Sequence, residues 1–189
     1  MISGRGSNME ALMTASRDPV CPFEIVLVLS NRPEAAGLAA AAAQGIDAAA
    51  VDHRAFGRDR EAHERALDAR LRSADVELVA LAGYMRVLTP FLVRAWDRRM
   101  LNIHPSMLPH FPGMDTHARA LAARHTMAGC TVHLVTEGVD EGPILAQAEV
   151  AVQPDDTAET LAARVLEAEH RLYPQALGDY AERLRSDQL

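Results

Sequence analysis

The sequence predicts an α/β fold, an open, mostly parallel Rossmann-like sheet with helices on its faces. Two observations carry this. Short apolar, β-branched runs alternate with longer helical patterns, the order that builds parallel strands joined by helical crossovers. Turns follow the apolar runs closely, at Ser30-Asn31, Ala82-Gly83 and His104-Pro105. The 189 residues, 49% of them apolar, suit one domain spanning 1–189, with ample material for a core.

The elements follow in order. Gly4-Arg5-Gly6-Ser7-Asn8 reads as a strand–loop–helix turn opening a first helix, although only Met1-Ile2 stands where a strand of about five or six residues is expected. Glu24–Leu29 (EIVLVL) is a strand, and an alanine-rich helix after Pro33 runs to Gln44, where Gly45 stops it. Ala48–Val51 is a weaker strand. Asp59–Arg72 is an amphipathic helix with Ala62, Ala66, Ala69 and Leu71 facing inward. Glu77–Leu81 is a buried strand. Thr89 caps a helix that begins at Pro90, a residue favoured at the first helical position. Met100–Ile103 is a brief strand, Thr116–Arg124 a helix, and Thr131–Val135 and Ile144–Val150 are strands. Asp156 and Glu159 form a capping-box-like start to a final helix reaching about Glu182.

Composition excludes several classes. A net charge of −7 opposes nucleic-acid binding, which needs a basic face. Two distant cysteines, Cys21 and Cys130, make neither a disulfide framework nor a thiolate metal cluster. Met1–Asn8 has no signal-peptide character, and no run approaches the roughly 20 apolar residues of a membrane helix. These features predict a soluble, cytoplasmic protein.

Three constellations can carry chemistry. The glycine turn at Ser3–Asn8 would present backbone amides at a helix N-terminus, where a phosphate binds. It is neither a dinucleotide fingerprint, since Met9 stands at the third glycine position, nor a P-loop, since Gly-Lys-Ser/Thr is missing. In Leu101–Pro109 (LNIHPSMLP), Asn102 and His104 lie two apart at a strand end and share a side of the sheet. Asn102 can donate to a developing oxyanion, and His104 can exchange a proton near neutral pH. In Glu137–Pro143, Gly138, Gly142 and Pro143 shape a loop that could hold Asp140 against an imidazole, raising its pKa and keeping it a usable acid. His110, His117 and His125 with Asp115 invite a metal reading, but they lack the paired spacing of a metal motif, and no metal is expected.

These pieces, in this order, resemble the phosphoribosylglycinamide formyltransferase family of folate-dependent enzymes. The resemblance runs from Ile2 to about Tyr180. It rests on ISGRGSN, LSN with a following AxGL in Leu29–Leu38, LAGYMRVL in Leu81–Leu88, LNIHPSMLP, VDEGPILAQ in Val139–Gln147 and EHRLYP in Glu169–Pro174. The NIHPSxLP element is shared by several formylfolate enzymes; the glycine turn and the EHxxYP element narrow the match.

The resemblance implies a formyltransferase-type sheet, with 10-formyltetrahydrofolate as cosubstrate and glycinamide ribonucleotide as acceptor. It implies Asn102, His104 and Asp140 as the catalytic set. Gly6, Ser7, Asn8 and Glu169 would hold the ribonucleotide. Arg60, Met85, Arg86, Val87, Leu88, Asn102, Thr136, Glu137, Gly138, Val139 and Asp140 would lie along the folate. The amine would attack the formyl carbon directly, so Ser106 and Cys130 are read as structural. Another formylfolate enzyme, such as a formyltetrahydrofolate hydrolase, is the rival. An initiator-tRNA enzyme is opposed by the acidic charge, and a silent binding module by the presence of all three catalytic residue types.

Three departures from the family pattern stand out: Asp115 where histidine is common, Leu166 where a polar residue is common, and a first strand that is all but missing. The strand is expected at the sheet centre, between Glu24–Leu29 and Glu77–Leu81, so the chain reads as a shortened version of a longer one.

Overall fold

The computed structural model describes residues 1–186; the 1–189 span read as one domain includes three positions outside the described residues. Strands β1 (Leu27–Ser30) and β2 (Asp47–Ala50) pair in parallel. Strands β3 (Val79–Leu81), β4 (Met100–His104), β5 (Met127–Leu134) and β6 (Ile144–Ala151) lie side by side in that order. β3 and β4 are parallel, whereas β5 runs antiparallel to both of its neighbours.

Met1–Ser3 joins the two sets. Ile2 N–H donates to the Leu29 carbonyl at 3.0 Å, Ala82 N–H to Met1 at 2.9 Å, and Ser3 N–H to Gly83 at 3.1 Å. Ile2, fully buried, makes a parallel bridge to Ser30. The amino-terminal residues thus occupy the position expected for the missing strand. The flanking strands are correspondingly shorter than the sequence suggested: β1 begins at Leu27 rather than Glu24, and β3 at Val79 rather than Glu77. Among the described residues, 24–26 and 77–78 have no neighbouring strand on the central side, so no ladder draws them in.

Helices cover both faces. On one, α1 (Ser7–Ala15) and α6 (Ala158–Arg185) bury Met9, Leu12, Met13, Leu161, Val165 and Leu177 against Val28, Leu101 and Val132. On the other, α3 (Arg60–Ser73) and α4 (Pro90–Ala95) bury Leu67, Leu71 and Leu92 against Leu29, Val79 and Met100. Adjacent strand residues such as Val28 and Leu29 divide between the two cores, as pleating requires. Helix α2 (Ala36–Ala42) approaches the glycine turn closely. A Cβ on Gly37 would meet Ile2 Cδ1 at 2.5 Å and the Arg5 carbonyl at 3.0 Å, which accounts for the glycine of the AxGL element.

Several local expectations are corrected. Helix α3 turns His63, Glu64, Leu67 and Leu71 inward, while Ala62 and Ala66 are half-buried and Ala69 is exposed. The two polar residues are tolerated because they are bonded: His63 Nε2–H donates to the Val51 carbonyl at 2.9 Å, and Glu64 accepts from the Thr89 amide at 2.8 Å and from its hydroxyl. Thr89 does stand at the N-cap of α4, but its hydroxyl serves Glu64 instead of the helix. The capping box of α6 is Thr157 with Thr160, because Asp156 is spent on Arg164. β5 begins at Met127, four residues earlier than read, since β6 is long enough to pair with Met127–Cys130.

Tyr173 of α6 pins this helix to the sheet. Its buried hydroxyl reaches the carbonyls of Leu81 (3.0 Å) and Leu101 (3.2 Å), on neighbouring strands. Losing a buried hydrogen bond of this kind costs about 1–2 kcal/mol. Tyr173→Phe should therefore lower Tm by roughly 3–6 °C in calorimetry; an unchanged Tm would show that the hydroxyl holds nothing.

Candidate active site

The carboxyl ends of the inner parallel segments meet at one edge, the place where open α/β sheets bind ligands. Ser3 ties these ends together: its hydroxyl donates to Asn31 Oδ1 at 2.6 Å and accepts from the Met85 amide at 2.8 Å. A cleft of about 610 Å³ opens beside this knot. Met85, Arg86, Val87 and Leu88 form one wall and Thr136–Asp140 the other, with Asn102 and His104 between them. Met85, Val87, Met114 and Val139 are exposed apolar side chains on its lining, an apolar surface suited to a flat aromatic ligand. Arg60 does not line the cleft and touches it only through a 3.4 Å bond to the Val87 carbonyl.

The polar centre is built by register. β4 carries Asn102 and His104 on one face, and antiparallel β5 sets His133 directly opposite Asn102. Past β5 the chain turns sharply, and a Cβ on Gly142 would fall 1.7 Å from the Leu134 carbonyl, so only glycine fits. That turn returns Asp140, itself at φ 57°, to the strand ends. The Asp140 carboxylate accepts from the Gly113 amide at 2.9 Å and lies 3.3 Å from His104 Nδ1 and 3.6 Å from His133 Nε2. Burial raises the carboxyl pKa, but His133, the Gly113 amide and the nearby His104 together outweigh it and hold Asp140 below the ordinary range. A depressed carboxylate stabilises the fold above its unfolded pKa, near 3.8, and that contribution is lost as pH falls through the lower folded value.

His104 is spoken for on both sides. Its Nε2–H donates to the Phe111 carbonyl at 3.0 Å while Nδ1 faces Asp140, so a doubly protonated ring satisfies both acceptors. Phe111 holds φ 54°, a conformation unusual for a bulky residue. The sequence reading did not include His133. Its Nδ1–H donates to the Leu134 carbonyl at 2.9 Å, and its Nε2 faces both Asn102 Nδ2 at 3.2 Å and the Asp140 carboxylate at 3.6 Å. A histidine inside the apolar run of β5 was the available signal.

The residues read as ribonucleotide ligands gather elsewhere. Gly6, at φ 77°, is the N-cap of α1, whose first-turn amides at Ser7 and Asn8 have no acceptor within the helix. Asn8 Nδ2 donates to Glu169 at 2.5 Å, while Asn8 Oδ1 is buried without a partner among the described residues. Burial pushes the Glu169 carboxyl upward, opposed by the Asn8 bond. His170, also missed in the sequence, buries an unpartnered Nε2 beside them, as does His117 on the cleft wall. Asp115 lines the cleft as the N-cap of α5 (Thr116–Ala122), without a capping bond. His125 packs edge to face on His110 and Phe111, with ring centroids 5.5 and 4.8 Å apart. The Ser106 hydroxyl donates to the His110 carbonyl, and burial pushes the Cys130 thiol up to about 12, so neither is poised as a nucleophile.

The model of the formyl transferase family matches residues 1–177. The phosphoribosylglycinamide formyltransferase of Bacillus subtilis is 39% identical over 175 residues, covering 93% of this chain and 89% of that protein. The chain belongs to the formyl transferase family. The crystal structure of phosphoribosylglycinamide formyltransferase from Brucella melitensis superposes with a TM-score of 0.91 at 57% identity, over 95% of this chain and 92% of that one. Similarity extends to the trifunctional purine biosynthetic protein adenosine-3 of Drosophila melanogaster, 45% identical over 179 residues, but the chain spans only 13% of that protein's length.

The His133–Asn102 contact orients the amide that faces the cleft. His133→Phe removes it while keeping an aromatic ring in the core. Turnover should fall roughly tenfold or more, since small misplacements of reacting groups are costly, with KM changed much less. Unchanged turnover in steady-state assays would show that Asn102 needs no such support.

Proposed function

We propose that this formyltransferase moves the formyl group of 10-formyltetrahydrofolate onto the amine of 5-phosphoribosylglycinamide, a step of purine biosynthesis. The observation that carries the reading is the Asn102–His104–Asp140 cluster at the base of an apolar-walled cleft, together with a second polar site at the head of α1. The folate lies along Met85–Leu88 and Thr136–Asp140. The ribonucleotide phosphate takes the Ser7 and Asn8 amides at the positive end of α1. Glu169, joined to Asn8, takes the ribose side of the same ligand.

The acceptor amine attacks the formyl carbon, and the carbonyl oxygen gains negative charge. Asn102 Nδ2 donates to that oxygen. His104 releases the Phe111 carbonyl and turns its Nε2–H to the same oxygen, with Asp140 holding the other face of the ring. One such donor is worth about 3–4 kcal/mol in the transition state. Collapse breaks the bond to N10 of the folate. The attacking nitrogen loses one proton and N10 gains one, so no external acid or base is consumed. The acidic charge of −7 fits small-molecule substrates and opposes nucleic acid, and the reading is of a cytoplasmic enzyme.

The test is an absorbance assay of folate release with both substrates present. Product is expected only when glycinamide ribonucleotide is added; folate release at the same rate without it would indicate hydrolysis instead. Glu169→Gln should raise the KM for the ribonucleotide about tenfold or more and leave that for formylfolate nearly unchanged, because Glu169 stands outside the folate cleft. An equal rise for both substrates would contradict the division into two sites.

A further inference from the structure

The cleft wall Met85–Leu88 does not hold itself in place. The segment is neither helix nor strand, and Met85 and Val87 are 66% and 59% exposed, so their burial cannot fix it. Side chains from elsewhere meet its backbone instead. At the head of the wall, the Ser3 hydroxyl accepts from the Met85 amide at 2.8 Å. In the middle, Arg60 donates to the Val87 carbonyl at 3.4 Å. At the tail, Glu64 accepts from the Thr89 amide at 2.8 Å and from the Thr89 hydroxyl.

Glu64 is the unusual member of this set. It is only 2% exposed, and the neighbouring arginines of α3 are turned elsewhere, Arg65 to Glu61 and Arg60 to Val87. Burying a carboxylate is costly, and it persists where hydrogen bonds to the charged form offset that cost. Here the bonds come from one residue. The two carboxylate oxygens meet the two donors that Thr89 presents. Thr89 ends the wall and stands at the N-cap of α4, yet its hydroxyl makes no capping bond to that helix. The tail of the wall is therefore tied to α3.

Helix α3 is a firm base for such a tie, because Leu67 and Leu71, on the same face as Glu64, are packed into the core. Glu64 itself does not line the cleft and reaches it only through Thr89. Arg60 stands one helical turn before Glu64 and is the second side chain of α3 on the wall.

We infer that Glu64 is a positioning residue for the cosubstrate, an inference resting on the reading of this cleft as the formylfolate site. From within α3 it fixes Val87 and Leu88 at their distance from the facing wall Thr136–Asp140, and so sets the width into which the folate fits. Its contribution falls on folate affinity. The ribonucleotide site at the head of α1 is held by other contacts, among them Asn8 with Glu169.

The experiment compares Glu64→Leu, Glu64→Gln and Thr89→Val with the unaltered protein, by titration with 10-formyltetrahydrofolate, steady-state kinetics and calorimetry. Glu64→Leu strips the Thr89 amide of its acceptor. It should raise the Kd for formylfolate about tenfold or more, with kcat and the KM for glycinamide ribonucleotide within about twofold. Glu64→Gln keeps an acceptor for the amide and a polar group for the hydroxyl, and should restore the Kd to within about twofold. Thr89→Val loses the hydroxyl bond alone, and should raise the Kd about threefold. A lowered Tm in Glu64→Leu with formylfolate affinity unchanged would make Glu64 a support of the fold only and overturn the inference. An equal rise for both substrates would overturn it too. If Glu64→Leu does not fold, Thr89→Val decides, and unchanged formylfolate affinity there overturns the inference. An unaltered protein that binds no formylfolate would overturn the reading of the cleft, and the inference with it.

Discussion

The Asp140 carboxylate is the point on which the candidate site depends. A carboxylate with a side chain only 11% exposed must be met by donors or neighbouring cations. Here the partners come from three separate segments: the Gly113 amide from the loop after β4, His104 from the end of β4, and His133 from the end of β5. Satisfying one buried charge therefore fixes the spacing between the two cleft walls. The same requirement explains the cramped turn at Gly142 and the left-handed backbone at Asp140, local strain that a bonded carboxylate can offset.

The sheet makes this convergence possible. Parallel inner strands deliver their loops to one edge, which places the glycine turn, the Met85–Leu88 wall and His104 within reach of one another. The antiparallel pairing of β5 then adds what a purely parallel sheet would not, a side chain opposite Asn102 in the same register. The two sites share this scaffold through Tyr173 and Glu169, which lie four residues apart on α6, one bonded to the strands and the other to Asn8.

What was legible in the sequence follows from the range of the information. Asn102 and His104 could be read because a two-residue spacing at a strand end is a local pattern, and Asp140 because glycines and a proline announce its turn. His133 could not be placed, since its role comes from the register between β4 and β5, a contact of 31 residues' separation. The inward face of α3 was misread for a related reason: His63 and Glu64 are buried only because Val51 and Thr89, distant in the chain, supply their partners. Arg60 matched the family pattern but lies outside the cleft, joined to it by a single backbone contact. The short β1 and β3 show the same limit, for strand propensity extends further than the neighbouring strand that would support it.

The central claim is that His104 and Asp140 act as one unit in the transition state. A double-mutant cycle on kcat, using His104→Ala, Asp140→Asn and the pair, tests it directly. Each single change should lower kcat by at least about a hundredfold, and the double variant should be scarcely slower than His104→Ala alone, with far-ultraviolet circular dichroism unchanged throughout. Effects that multiply in the double variant would mean that the two residues act independently, and the account of Asp140 as the partner that holds His104 would fail.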